Sequence, residues 1–191
     1  MCAAHKTTTG ILGAAGIALA ATVLAGCAPG PAAAQVSPSP SLAESAVAVA
    51  WMNGFCGAVK DFIEGNNKMT SATGDTVEAI KKSTSDQLGH YATILSKTVD
   101  GLNSLPAAPV PAGETAKKDF LGKYTSARDK TVKAKADLDA AGKNDTAAQA
   151  RAVEGLISAQ KDTHSALDPV AAILGAPELK TAAATAERCR P

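Results

Sequence analysis

From Ser41 onward, apolar residues return every three or four positions with polar residues between them, the period of a helix buried along one side. Val47, Trp51, Phe55, Val59 and Phe62 form a first stripe over about Ser41 to Glu64. Met52, Cys56 and Ile63 widen it, while Asn53, Gly57, Lys60, Asp61 and Glu64 fall opposite. So broad an arc predicts more than one packing neighbour. Gly54 and Gly57 each cost about 1 kcal/mol against alanine inside a helix, so either a close approach or a local irregularity is expected there. A polar loop, Gly65 to Gly74, separates this helix from a second. Asp75 and Glu78 have the spacing of a capping box. Val77, Ile80, Thr84, Leu88, Tyr91, Leu95, Val99, Leu102 and Leu105 then form the longest periodic run in the chain. Pro106, Pro109 and Pro111 end it, since proline lacks the amide that a helix needs.

A third helix is predicted over about Ala112 to Ala141, with Phe120, Tyr124, Ala127, Thr131, Ala134, Leu138 and Ala141 inward. These alternate by fours and threes, the spacing of antiparallel bundles, and Gly142 stands where a helix C-terminus is expected. Asn144 or Asp145 caps a fourth helix that buries Val153, Leu156, Ile157, Gln160 or Thr163, and Leu167. Asp168-Pro169 interrupts it. A short segment with Val170, Ile173 and Leu174 follows to Gly175, and Pro177 opens a terminal helix through Leu179, Ala183 and Cys189. The expected fold is all-α: an antiparallel four-helix bundle with an extra C-terminal helical tail.

Composition narrows this picture. The 191 residues hold 42 alanines but only one tryptophan, two tyrosines and three phenylalanines, which disfavours strands and any all-β fold. Facing positions rich in Ala and Thr predict helix axes that lie close together. With 19 basic and 18 acidic residues, the chain has the character of neither a disordered polyelectrolyte nor a general nucleic-acid binder.

The first 40 residues differ from the rest. Met1 to Gly10 carry Lys6 and no acid, and Ile11 to Ala25 are uncharged and apolar. That run is shorter than the roughly 20 residues of a spanning helix and has the layout of an export signal. It ends in Leu24-Ala25-Gly26-Cys27, which resembles the lipobox of bacterial lipoproteins. The resemblance implies cleavage between Gly26 and Cys27, diacylglycerol on the Cys27 sulfur and an acyl chain, such as palmitate, on its new amino group. An uncleaved N-terminal anchor, or a secreted protein with a chance cysteine, is the plainer alternative. Residues 28–41 hold four of the ten prolines and no charge, the composition of an extended tether. Ser37, Ser39 and Ser41 lie beside prolines and would accept O-glycans in an organism that makes them; otherwise they are spacer. The expected organisation is a signal peptide at 1–26, a lipidated Cys27 with its tether at 27–41, and a bundle at 42–191. The expected place is the extracytoplasmic face of the cell membrane. Removing Lys6 with the leader leaves 19 − 1 = 18 basic against 18 acidic residues, so the mature chain is neutral.

Of four cysteines, Cys2 leaves with the leader and Cys27 takes lipid. Cys56 and Cys189 remain, and in an oxidising compartment an even remainder reads as a disulfide. Two separate thiols or an intermolecular bond are the alternatives. An intramolecular bond would pin the terminal helix to the middle of the first.

Candidate chemistry is sparse. His90 and His164 are preceded at three residues by Gln87 and Lys161, so the Glu-x-x-His pattern of di-iron bundles is absent. Asp86 and His90 lie one helical turn apart, a pair more often solvated than metal-binding. No zinc-protease, nucleophile-elbow, phosphate-loop or dinucleotide motif occurs in the sequence. No cofactor, metal or catalytic residue is therefore implied, and the chain is expected not to be an enzyme. Lys117, Lys118, Lys123, Arg128, Lys130, Lys133 and Lys135 make the third helix the most basic segment. Glu114–Lys118, Asp119–Lys123 and Asp129–Lys133 are spaced to pair along it. This face is expected to be either plainly solvated or a contact for anionic lipids and envelope polymers. The Trp51, Phe55 and Phe62 row is expected in the core, with an acyl groove between the first and terminal helices as the alternative.

The lipobox, the Leu105-Pro106 to Pro111 break and the ending Glu178-Leu179-Lys180 to Cys189 together resemble small, Ala-rich secreted lipoproteins of high-GC actinobacteria. That resemblance implies compartment and fold and supplies no active residues. The expected role is a non-enzymatic interaction or structural one at the cell envelope, with the membrane and an envelope protein or anionic polymer as partners and no nucleic acid. A carrier or sensor of an apolar small molecule or lipid is the alternative.

Overall fold

The computed structural model describes residues 41–166 and 170–190. Six α-helices follow one another: α1 (Leu42–Asn67), α2 (Val77–Asn103), α3 (Pro111–Ala140), α4 (Thr146–Ser165), α5 (Val170–Gly175) and α6 (Pro177–Thr185). A 3₁₀ turn, Glu187–Cys189, ends the tail, and no strand occurs among the described residues. Four long antiparallel helices form the bundle, with α5, α6 and the C-terminal turn as its tail. The leader, Gly26, Cys27, the tether serines Ser37 and Ser39, and Leu167 with Asp168-Pro169 lie outside the described residues.

Local signals start and stop these helices. Ser41 accepts the amide of Glu44 while the Glu44 carboxylate takes the amide of Ser41, a reciprocal cap that begins α1 at Leu42. The cap of α2 falls one residue later than its sequence suggests. Thr76, not Asp75, adopts extended backbone and accepts the Ala79 amide. Asp145 caps α4 by accepting from Ala148. The end of α3 departs from expectation too: Ala141 leaves the helix in extended backbone, so Gly142 is not its terminating residue. Lys81 Nζ covers the free carbonyl of Ala141 at 2.6 Å. Pro177 starts α6 as expected, but the helix stops at Thr185 and Ala186 is extended, so Cys189 sits in the 3₁₀ turn instead.

All six aromatics converge on one core. Trp51 stacks on Phe55 at 5.2 Å, and Phe55 meets Phe120 edge-on at 5.0 Å. Phe120 stacks on Tyr124 at 5.9 Å, and Phe62 closes the array against Tyr124 at 4.9 Å and Tyr91 at 6.1 Å. Polar tips are paired: Trp51 Nε1 donates to Pro106 O at 3.2 Å, and the Tyr91 and Thr163 hydroxyls lie 3.0 Å apart. The row on α1 is therefore core and lines no acyl groove. By length and composition α1 would also reach across a membrane; its buried Trp51, Met52, Phe55 and Phe62 make it a core helix of the bundle.

The fourth helix corrects the sequence reading most. Ala148, Ala152, Leu156, Ala159 and Thr163 are buried, whereas Val153 and Ile157 are 45% and 59% exposed. The buried face is chosen by closeness: a Cβ at Gly155 would lie 2.7 Å from the Ala134 Cβ of α3. Large side chains at that seam would force α3 and α4 apart. Gly155→Ala is expected to destabilise the protein by about 1–3 kcal/mol through overpacking. That outweighs the gain of about 1 kcal/mol in helix propensity, and a urea midpoint that rises instead would disprove the tight seam. Val47 on α1 is likewise exposed, at 55%, and Ile80 on α2 is only partly covered.

The two unexplained glycines of α1 have tertiary causes. At Gly54 a side chain would collide with the Leu105 side chain, and at Gly57 it would meet the Arg188 guanidinium at 3.4 Å. Opposite them, a Cβ at Gly101 of α2 would sit 3.2 Å from Ala58 Cβ. Helices α1 and α2 thus approach closely along a seam of small residues.

Candidate functional site

The seam between α1 and α2 opens outward into a groove of about 630 Å³. Its floor is backbone and small side chains, with Gly54, Ala58 and Gly101 beneath Leu105 and Ile94. Its rim carries Asp61, Glu64 and Lys68 from the α1 side, and His90 and Lys97 from α2. Only Arg188 comes from the tail. The groove therefore lies along the flank of α1 beside the aromatic row, facing α2, and not between α1 and α6 as the alternative reading placed it. A smaller recess of about 290 Å³ adjoins it through Lys68 and His90.

One wall is fixed by the tail. Cys56 and Cys189 are joined, with their Cα atoms 5.0 Å apart, and the bond links residues 133 positions apart. It holds the C-terminal turn on α1, while the terminal helix α6 packs on α1 beside it, as expected. Next to the bond, the Arg188 amide donates to Asn53 Oδ1 at 3.0 Å, and its guanidinium donates to Gly57 O at 3.3 Å. The same guanidinium pairs with the Asp61 carboxylate. Lys60 Nζ completes the set by donating to Arg190 O at 3.2 Å. Asn53, Gly57, Lys60 and Asp61 are the face of α1 that its sequence marked only as solvent side. Nothing local pairs them with Arg188, more than 120 residues away, so only the cysteine count pointed toward this place.

Elsewhere, polar side chains are committed to one another. Asp86 takes Lys82 Nζ at 2.6 Å, while His90 Nε2 lies 3.4 Å from Gly65 O, and both residues line the smaller recess. Among the described residues, no group of three or more potential metal ligands converges. The basic face of α3 is largely neutralised, by partners other than those its spacing suggested. Lys130 reaches Asp162 of α4 at 2.6 Å, Lys133 turns to Asp137, and Lys135 turns to Asp139. Asp129 takes Arg128, Glu114 accepts the Ala108 amide, and Lys117 Nζ donates to Leu105 O at 2.9 Å.

Electrostatics follow the same contacts. Asp139 is held below the usual carboxylate range by hydrogen bonds from Lys135 and Ser85. Burial would raise Asp162, but Lys130 and Ser126 overcome it and leave the group lowered. Burial raises Tyr124, and it raises Tyr91 against the opposing hydrogen bond from Thr163; both are core tyrosines. For the two aspartates, a folded-state value below the unfolded one means stability that is present above the ordinary carboxylate pKa of about 3.9 and is lost as pH falls through the lowered values. Urea midpoints are therefore expected to hold from about pH 7 to about pH 5 and to fall on further acidification. Asp162→Asn should flatten the acid side of that profile, and an unchanged profile would remove the Lys130–Asp162 pair from the account.

Compared with protein-family models, curated proteins and solved structures, the chain matches none.

Proposed function

We propose that this is a lipid-anchored, extracytoplasmic helical-bundle protein with a non-enzymatic interaction or structural role at the cell envelope. The observation that carries the reading is the Cys56–Cys189 bond. It uses the two cysteines that remain once a leader is removed and Cys27 is acylated, and a structural disulfide belongs to an oxidising compartment. The tether 27–41 then joins the membrane to α1, whose first residue is Leu42. Several acyl chains, at roughly 0.8 kcal/mol per buried CH₂, hold such a chain firmly on a bilayer.

The anchor is tested by expressing the chain and its Cys27→Ser variant in a bacterial host that processes lipoproteins. The parent should partition into detergent and carry the added mass of its acyl groups, and the variant should lose both. Masses that differ only by the sulfur-for-oxygen exchange, together with equal partitioning, would refute lipidation at Cys27. A protein partner is the better supported of the two partner classes, because the basic side chains of α3 are mostly spent on internal pairs while Val132, Val153 and Ile157 are exposed. Crosslinking in intact membranes should trap that partner.

The α1–α2 groove favours a second reading, a carrier or sensor of an apolar small molecule or lipid. A fluorescent fatty acid titrated into the full chain would then bind saturably, and Thr93→Trp, which fills the groove from its rim, would abolish the signal. Linear, unsaturable partitioning would retire this reading.

A further inference from the structure

The C-terminal turn is attached to the bundle in an unusual way. Glu187–Cys189 buries no side chain of its own. The segment before it is anchored by packing, since Leu179, Ala182 and Ala186 are all buried. After Ala186 the turn is held by one covalent bond, by the partly buried Cys189 at the edge of the core, and by polar contacts to Asn53, Gly57, Lys60 and Asp61 that are exposed except at Gly57. Exposed contacts of this kind contribute little, because water competes for each group. Both bonded cysteines are only partly buried, at the edge of the core, and exchange in the folded state needs one of the two sulfurs to meet an incoming thiolate.

We propose that residues 187–190 are a redox-released strap: thiol–disulfide exchange at Cys56–Cys189 frees the turn from Ala186 onward and withdraws Arg188 from the groove between α1 and α2, leaving the bundle folded. The reductant is a dithiol, as in a thiol–disulfide oxidoreductase. Its thiolate attacks one of the two sulfurs and forms a mixed disulfide, and its second thiol then displaces the protein sulfur. Two electrons and two protons pass to Cys56 and Cys189, which end as thiols, and the dithiol ends as a disulfide. Latched, the strap neutralises Asp61 and covers the backbone at Gly57. Released, it leaves Asp61 and Glu64 as free carboxylates along one rim and opens the groove at that wall. The inference does not depend on the lipid anchor, because it concerns only residues of the folded bundle.

The test treats the folded full chain with dithiothreitol, without denaturant, and blocks the new thiols with iodoacetamide. Expected results are alkylation of Cys56 and Cys189, amide exchange at 187–190 faster by about a hundredfold, and rapid tryptic cleavage after Arg188. Labelling of Asp61 by a carbodiimide should rise against Glu64 as internal reference, while helicity and Trp51 fluorescence stay as in the oxidised protein. A bond that resists dithiothreitol until the helices are unfolded would overturn the proposal. So would loss of helicity together with the bond, which would make the disulfide a staple of the whole fold. Arg188→Ala with the bond intact should leave the exchange of 189–190 slow; if that variant frees the tail by itself, the ion pair and not the disulfide is the latch.

Discussion

Replacing Cys56 and Cys189 together by serine should lower the free energy of unfolding by about 4–5 kcal/mol, the loop-closure entropy of a long crosslinked chain. The bond closes a loop across 133 positions, nearly the whole bundle, so its absence enlarges the unfolded ensemble far more than it alters native contacts. The native contacts it directly enforces are the polar ones of Arg188 and the C-terminal turn, which are exposed. Since small domains have some 5–15 kcal/mol in hand, the serine protein should still fold at room temperature but unfold at much lower urea. Denaturation followed through Trp51, the single tryptophan, measures this directly. A loss below about 1 kcal/mol would show that the unfolded chain is already confined without the bond.

Phe120→Ala should cost about 3–5 kcal/mol, the range for deleting a fully buried aromatic ring. Phe120 has no exposed surface and lies between Phe55 and Tyr124, so its removal leaves both rings facing a void. Collapse around that void is hindered because the neighbouring rings come from different helices, α1 and α3, and are themselves held by Trp51 and Phe62. Ile157→Ala is the informative control. Isoleucine is also strongly apolar, yet Ile157 is largely exposed, and its loss should change stability by no more than about 0.5 kcal/mol. If Ile157→Ala proved as costly as Phe120→Ala, the face assigned to α4 would be wrong.

The contrast between these two positions shows what a periodic pattern conveys. On α2 and α3 most large residues point one way, Ile80 and Val132 excepted, so Leu88, Tyr91, Leu95, Phe120, Tyr124 and Leu138 are buried as their spacing predicts. On α4 Val153 and Ile157 lie off the face that buries Ala148, Ala152, Leu156 and Ala159, and size is a poor guide. The buried face is the one with Ala148, Ala152 and Ala159, because α3 lies too close to admit valine or isoleucine there. The expectation of closely packed, alanine-lined axes was sound, while the choice of side chains on α4 contradicted it. Helix ends show a similar split. Asp145 and Pro177 were legible because the determining group is in the same turn, and α3 ends within a residue of its expected limit, whereas α6 stops at Thr185 with no local residue that obliges it to.

For the site, the legible part was the pairing of Cys56 with Cys189, expected once Cys2 and Cys27 are set aside as residues of a proposed leader and lipid site. The groove was not legible. Its floor is made of glycines that, read singly, appear only as helix-weakening residues, and its wall is an arginine remote in sequence from the carboxylate it neutralises.

By itself, then, the amino-acid order determines that this chain is helical, where the long helices run and which aromatics are buried, and it makes a Cys56–Cys189 pair the expectation. These depend on backbone propensity, 3.6-residue periodicity and a count of cysteines, all of which are local or countable. The tertiary structure alone decides which face of an alanine-rich helix turns inward, why Gly54, Gly57, Gly101 and Gly155 are glycines, and where a groove is left open. Those outcomes are set by the distance between two helix axes, and that distance belongs to the pair of helices and is not encoded in either one read alone.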